Sequence, residues 1–220
     1  MNFTKYWDGS KDERCVRNVP DIPWLKECLN LWMLPALSLL DIGCGVGHLV
    51  ACWRGWGGTA EGITYLQEEA DMAKKEMDLD LTVGDMHDLP YEDGQFDGIV
   101  MWDSLEHAVS PYIALCEARR VTRKNGRGLI FIPGDQWRTE QYHIILPTQW
   151  QMSHLLWLSG WTLYRMIDLS NGDPKNPQRD MAAYCIVNEG HQRDTKLKYH
   201  IVPNSEIIDR IRYAGNLPIP

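Results

Sequence analysis

Residues 38–50 read SLLDIGCGVGHLV: an apolar run, an aspartate, and then glycine at 43, 45 and 47. Glycine weakens regular structure by roughly 0.5–1 kcal/mol relative to alanine. Three of them at alternate positions mark main chain that must turn with positive φ or let another group come close. A buried strand, a tight glycine turn and a helix make the corner at which open α/β sheets accept ligands. The stretch therefore predicts a strand over 36–42 and a helix over 47–55, with Asp41 near the strand's end.

The rest of the chain continues the alternation. Strands are expected over 58–63, 79–83, 95–102 and 127–133, and helices over 67–77 and 110–122. Ser110 and Pro111 suit a helix cap and first turn, and Asn125–Gly126 is read as that helix's stop. A helix over 147–160, capped by Thr148 and stopped by Gly160, precedes two closing strands in WTLYRMIDLS and DMAAYCIVNE. Alternation that ends in two consecutive strands implies a mostly parallel sheet covered by helices on both faces, with an antiparallel last strand.

At 220 residues one domain is the simplest organisation, here 36–189, with an N-terminal helical cap over 1–35 and an extension over 190–220. The extension is expected to dock on the domain or to join a second subunit as a homodimer. A formal charge of −8 disfavours a nucleic-acid partner, because phosphate-backbone binding needs a basic surface. No stretch is apolar enough to span a bilayer, and the first residues lack the apolar centre of a secretory signal, so the expected location is cytoplasmic. Six scattered cysteines without a C-x-x-C pair point to reduced thiols and no metal site.

His48 stands where a dinucleotide-binding G-x-G-x-x-G loop would place its last glycine, which argues against a nicotinamide enzyme. The spacing D-x-G-x-G-x-G instead resembles motif I of class I S-adenosylmethionine-dependent methyltransferases. The order GDM (84–86), LPYEDGQFDGIV (89–100), LEH (105–107) and GRGLIFIPG (126–134) is similar to the ubiquinone/menaquinone-biosynthesis type, methyltransferase type 11. The resemblance covers about residues 36–188. It implies a Rossmann-like seven-stranded sheet, S-adenosylmethionine as cofactor and transfer of its methyl group.

Roles carried over from the resemblance follow the motifs. Gly43, Gly45 and Gly47 form the cofactor loop, Cys44 and Val46 present backbone, and Asp41 holds the loop or the ligand's ammonium. Asp85 accepts from the adenine amine, and Met86 offers main chain to the ring; a turn cap is the structural alternative for Asp85. Relatives usually end strand two with an acid that takes the ribose hydroxyls, but Thr64 fills that slot here. GITYLQEE resembles the variant of cyclopropane fatty-acid synthases, which would let Thr64 and Glu69 share the ribose while Tyr65 packs on adenine. Glu69 as a surface acid complementing a helix dipole is the competing reading.

Methyl transfer needs alignment of acceptor, methyl and sulfur, and a base only when the acceptor must lose a proton. His107 is the candidate base, with a capping or packing role as the alternative. Trp102 borders the cofactor at the same mouth, and Asp103, His143, Tyr6 and Trp7 are the candidate acceptor contacts. Asp85, His87 and Asp88 could suggest a metal, but they lie where adenine is expected. The absence of a [DNS]-P-P-[YFW] motif after strand four, and of a P-C pair, disfavours DNA methylation. The expected acceptor is a small molecule, lipid-like intermediate or sugar. Cyclopropane-synthase-like carbon transfer and a non-catalytic cofactor-binding partner are the alternatives.

Overall fold

The computed structural model describes residues 32–33, 38–134, 142–168 and 181–187. Seven strands form one sheet: β1 (Ser38–Ile42), β2 (Thr59–Thr64), β3 (Thr82–Val83), β4 (Phe96–Trp102), β5 (Thr122–Ile132), β6 (Trp161–Asp168) and β7 (Met181–Val187). Their order across the sheet is β3-β2-β1-β4-β5-β7-β6. The pairs from β3 through β5 are parallel, and β7 runs antiparallel to both β5 and β6. This is the expected mostly parallel sheet with an antiparallel last strand.

Alternate residues of the central strands point to opposite faces. Leu40, Ile42, Ile99, Met101, Ile130 and Ile132 join one buried cluster, while Leu39, Val100, Leu129 and Phe131 join another. Helices α1 (His48–Gly55) and α2 (Gln67–Met77) supply Leu49, Val50, Trp53 and Ala73 to the second cluster. Helices α3 (Pro111–Val121) and α4 (Gln149–Leu158) supply Ala114, Leu115, Met152 and Leu156 to the first. Both faces of the sheet are thus dry, which suits strands that read as continuous apolar runs.

Local chemistry sets most of the boundaries. The Ser110 hydroxyl accepts from the Ile113 amide at 3.4 Å, and Pro111 occupies the first turn of α3. Thr148 and Gln151 form a reciprocal capping box at the start of α4, and Gly160 turns the chain out with φ +87°.

Two expected boundaries move. Helix α3 ends at Val121, not at Asn125–Gly126, because β5 begins at once with Thr122 paired to Phe96. The Asn125–Gly126 pair instead lies in an irregularity of β5, with Asn125 at φ +58°. A Cβ on Gly126 would meet the Asp97 carbonyl at 2.8 Å. The third strand shrinks to Thr82–Val83 because Leu79 closes α2, its amide reaching the Ala73 carbonyl at 3.2 Å after Asp78 turns left-handed.

Candidate functional site

The carboxyl ends of β1, β2 and β4 meet at the glycine turn. Gly43, Gly45 and Gly47 have φ of +76°, +53° and +78°. The amides of Gly43 and Cys44 both donate to the Ile63 carbonyl, at 2.9 and 3.0 Å, which pins the turn to the end of β2. The Gly47 amide donates to the Cys44 carbonyl at 2.9 Å. Both main-chain groups of Cys44, expected to face outward, are therefore bonded inside the protein, and its side chain lies in the core. A Cβ on Gly43 would stand 2.5 Å from the Ser104 Cβ, and one on Gly47 2.5 Å from Leu79 Cδ2. Ser104 itself donates to the Ile42 carbonyl at 2.8 Å. Asp41 is buried beneath this corner, and burial pushes its carboxyl up to about 7.

Beside the turn, the Thr64 hydroxyl donates to the Glu69 carboxylate. Thr64 is 2% and Glu69 8% exposed, so Glu69 is not the surface acid of the competing reading. Desolvation raises the Glu69 carboxyl, and the bond from Thr64 opposes that rise. Tyr65, the next residue, is exposed.

The Gly84 amide donates to the Thr64 carbonyl at 2.9 Å and leads the chain into Asp85 and Met86. Asp85 Oδ1 accepts from the His87 amide at 2.9 Å and from His87 Nδ1 at 2.5 Å. These bonds, the backbone one first, hold the Asp85 carboxyl below its usual range. His87 Nε2 accepts the Ser110 amide at 3.1 Å, so His87 serves this loop rather than a metal. The Met86 methyl lies 3.8 Å from where a Gly43 Cβ would be. Arg120 anchors the following loop, donating to the Leu89 and Tyr91 carbonyls at 2.8 and 2.7 Å while pairing with Glu117.

Across the mouth, the Trp102 ring sits 6.3 Å from the Phe131 ring, and Asp103 takes a left-handed φ of +46°. A short 3-10 turn, Leu105–His107, follows. It carries a residue that the sequence reading passed over: Glu106, 1% exposed, with Oε1 3.8 Å from His107 Nε2 and 4.0 Å from His143 Nε2. Its adjacency to His107 in LEH was the available signal. His107 Nδ1 lies 3.0 Å from the Tyr142 carbonyl, and desolvation holds its ring below the ordinary pKa. Tyr6 and Trp7 lie outside the described residues. An open cleft lined by Leu39, Arg54, Thr59 and Phe96, at the opposite strand ends, contains none of these groups.

Residues 40–130, the span that holds the glycine turn, Glu69, Asp85 and the LEH turn, match the family model described as a methyltransferase domain. This stretch is similar to a methyltransferase domain. A curated relative, the O-methyltransferase cnsE of Penicillium expansum, is 26% identical over 133 residues, covering 57% of this chain and 48% of its own length. The chain spans less than half the length of the curated relatives it matches. Among solved structures, the [4+2]-cyclase SpnF superposes with a TM-score of 0.66 at 20% identity, over 84% of this chain and 86% of that one. A geranyl diphosphate C-methyltransferase from Streptomyces coelicolor A3(2), solved with S-adenosyl-L-homocysteine, gives 0.63 at 15% identity, over 75% and 74%. At these identities the structural likeness speaks to the fold. Open α/β sheets accept ligands at the carboxyl ends of their central strands, and the glycine turn of this chain stands at those ends. Among the described residues, no helix is long and apolar enough to cross a membrane.

Proposed function

We propose that the protein transfers the methyl group of S-adenosylmethionine to a small-molecule, lipid-like or sugar acceptor by in-line displacement. The observation that carries this reading is the buried Thr64–Glu69 pair beside a glycine turn too crowded for any side chain at Gly43 or Gly47. That set fits an aminoacyl nucleoside. Gly43 and Gly47, packed on Ser104 and Leu79, shape the turn so that its main chain, with Gly45 between them, lies against the methionine portion, and Asp41 lies close beneath for its ammonium. Glu69, with Thr64, offers acceptor oxygens for a ribose diol. Asp85 offers a carboxylate to an exocyclic amine, Met86 its main chain and Tyr65 its ring to a purine, with Trp102 at the mouth.

When bound, the cofactor supplies an electrophilic methyl on a sulfonium. The protein's part is to orient it, exclude water and align the acceptor. His107 is the acceptor-side catalytic residue of this reading, with Asp103 and His143 beside it and Tyr6 and Trp7 contributed by the N-terminal cap over 1–35. The 190–220 extension is assigned to docking on this domain or on a second copy. The acidic composition and the buried thiols of Cys44, Cys52 and Cys185 suit a cytoplasmic enzyme.

The test is incubation of the full chain with methyl-labelled cofactor and a panel of hydroxyl, amine and carbon acceptors, following S-adenosylhomocysteine release. Acceptor-dependent release that a Gly45→Arg variant abolishes supports the reading. Tight cofactor binding without turnover on any acceptor would replace it with a non-catalytic binding role.

A further inference from the structure

We propose that Glu106, His107 and His143 form a binding site for one divalent transition-metal ion at the acceptor side of the proposed methyl-transfer site. Each residue offers one ligand atom, and the three atoms lie within 4.8 Å of one another. Both imidazoles turn Nε2 toward the same carboxylate oxygen, at 3.8 and 4.0 Å. Those separations exceed the 2.7–3.2 Å or so of an N–H···O hydrogen bond. Ligands about 2.0–2.2 Å from a shared tetrahedral ion stand roughly 3.4 Å apart. An ion here therefore needs the carboxylate and each imidazole to close by about half an ångström, and the ligand atoms of the two imidazoles to draw together from a separation of at most 4.8 Å.

The tautomer at His107 fits a ligand. Its Nδ1 is 3.0 Å from the Tyr142 carbonyl, which can only accept, so Nδ1 carries the hydrogen and Nε2 the lone pair. Metal-binding histidines commonly donate their second N–H to a backbone carbonyl in this way. The main chain also fixes the meeting of the two segments. The amides of Ile144 and Ile145 both donate to the Glu106 carbonyl, at 2.8 and 3.3 Å, so the stretch carrying His143 is tied to the turn carrying Glu106. The imidazole centroids are 5.0 Å apart, and the Glu106 side chain is 1% exposed, so a cation here would meet a largely desolvated carboxylate.

Two imidazole nitrogens and one carboxylate suit zinc, manganese, iron(II) or cobalt(II) better than calcium or magnesium. Three protein ligands leave open positions, which selects an acceptor with an oxygen donor. Coordination lowers the pKa of a bound hydroxyl, so its proton leaves to water without a protein base. The oxygen lone pair then forms the O–CH3 bond as the S–CH3 bond breaks, and its electron pair neutralises the sulfonium. In this arrangement His107 holds the ion rather than taking the proton. The ion's use rests on the methyltransferase reading, whereas its binding rests on the three side chains alone.

The experiment uses full-length protein stripped with a chelator and titrated with cobalt(II) chloride, read by visible d–d absorption and by calorimetry. S-adenosylmethionine is titrated in parallel into the metal-free protein. One cobalt ion per chain is expected, with d–d bands of nitrogen–oxygen ligation. Affinity should fall on the order of 100-fold in Glu106→Gln and in His143→Ala, each checked for a native circular dichroism spectrum; either folded variant suffices. No stoichiometric uptake by the wild type, or undiminished uptake in the folded variants, overturns the site. Cofactor binding without cobalt uptake overturns this inference alone, while cobalt uptake without cofactor binding overturns the methyltransferase reading alone.

Discussion

The Thr64 hydroxyl at the end of β2 donates to the Glu69 carboxylate in the first turn of α2, and both side chains are buried beside the glycine turn. A helix residue thus supplies the carboxylate that the strand end lacks. The acid is held by threonine and has its first-turn position favoured by the helix dipole. The first prediction follows from this pairing.

Glu69→Gln keeps the volume and removes the charge. A hydrogen bond to a charged group contributes about 1.5–3 kcal/mol. S-adenosylmethionine affinity should fall on the order of 10- to 100-fold in calorimetry, with kcat largely kept. Thr64→Val, which leaves the carboxylate without its donor, should show a smaller loss in the same direction. Unchanged affinity in both variants would remove the pair from the binding site.

Gly43→Ala places a methyl group 2.5 Å from Ser104 Cβ on a backbone with φ +76°. Strain of this kind costs on the order of 1–3 kcal/mol. The variant should melt several degrees lower and lose cofactor-induced stabilisation. A Ser104→Gly second substitution leaves the φ penalty in place, so it should restore only part of the melting temperature.

Asp41 predicts a pH dependence. Its folded carboxyl, pushed up by burial to about 7 from an ordinary 3.8, keeps its proton to higher pH than the unfolded chain does. The stabilisation is therefore fully present below about pH 4, declines as the pH rises, and is lost above about 7. The change is on the order of 2–4 kcal/mol across that window. Asp41→Asn should flatten this slope in denaturant titrations of the cofactor-free protein and raise its stability at pH 8, while weakening S-adenosylmethionine binding. A wild-type slope retained in the variant would assign it to other groups.

Arg120 tests how the Asp85 loop is held. Its guanidinium donates to the Leu89 and Tyr91 carbonyls and pairs with Glu117, whose Oε2 also accepts the Leu89 amide at 3.0 Å. Arg120→Met should speed amide hydrogen exchange across residues 85–95 and raise the KM for S-adenosylmethionine more than it lowers kcat. Exchange unchanged in that segment would contradict the anchoring role.

Features encoded by near neighbours were legible in the sequence. The glycine turn, the Ser110–Pro111 start of α3 and the Thr148 cap of α4 each follow from a few adjacent residues, and each stands where the spacing put it. The strand directions were legible through the alternation and the two closing strands, whose succession without a helix implies an antiparallel partner, whereas the insertion of β7 between β5 and β6 was not. Tertiary pairing overrode local signals elsewhere. Asn125–Gly126 looks like a helix stop, but the pairing of Thr122 with Phe96 had already begun the strand. Glu69 could be read from sequence as a surface acid, because nothing local reveals that α2 lays it against Thr64. Glu106 and His143 lie far apart in the chain, and their meeting depends on amides of the 144–145 segment finding the Glu106 carbonyl.

The most direct test is calorimetric titration of the purified wild-type chain with S-adenosylmethionine, S-adenosylhomocysteine and NAD. Saturable one-to-one binding of the first two, none of NAD, and loss of the signal in Gly45→Arg is the expected result. A flat trace for both adenosyl ligands at millimolar concentration, from protein with a native circular dichroism spectrum, would contradict the account.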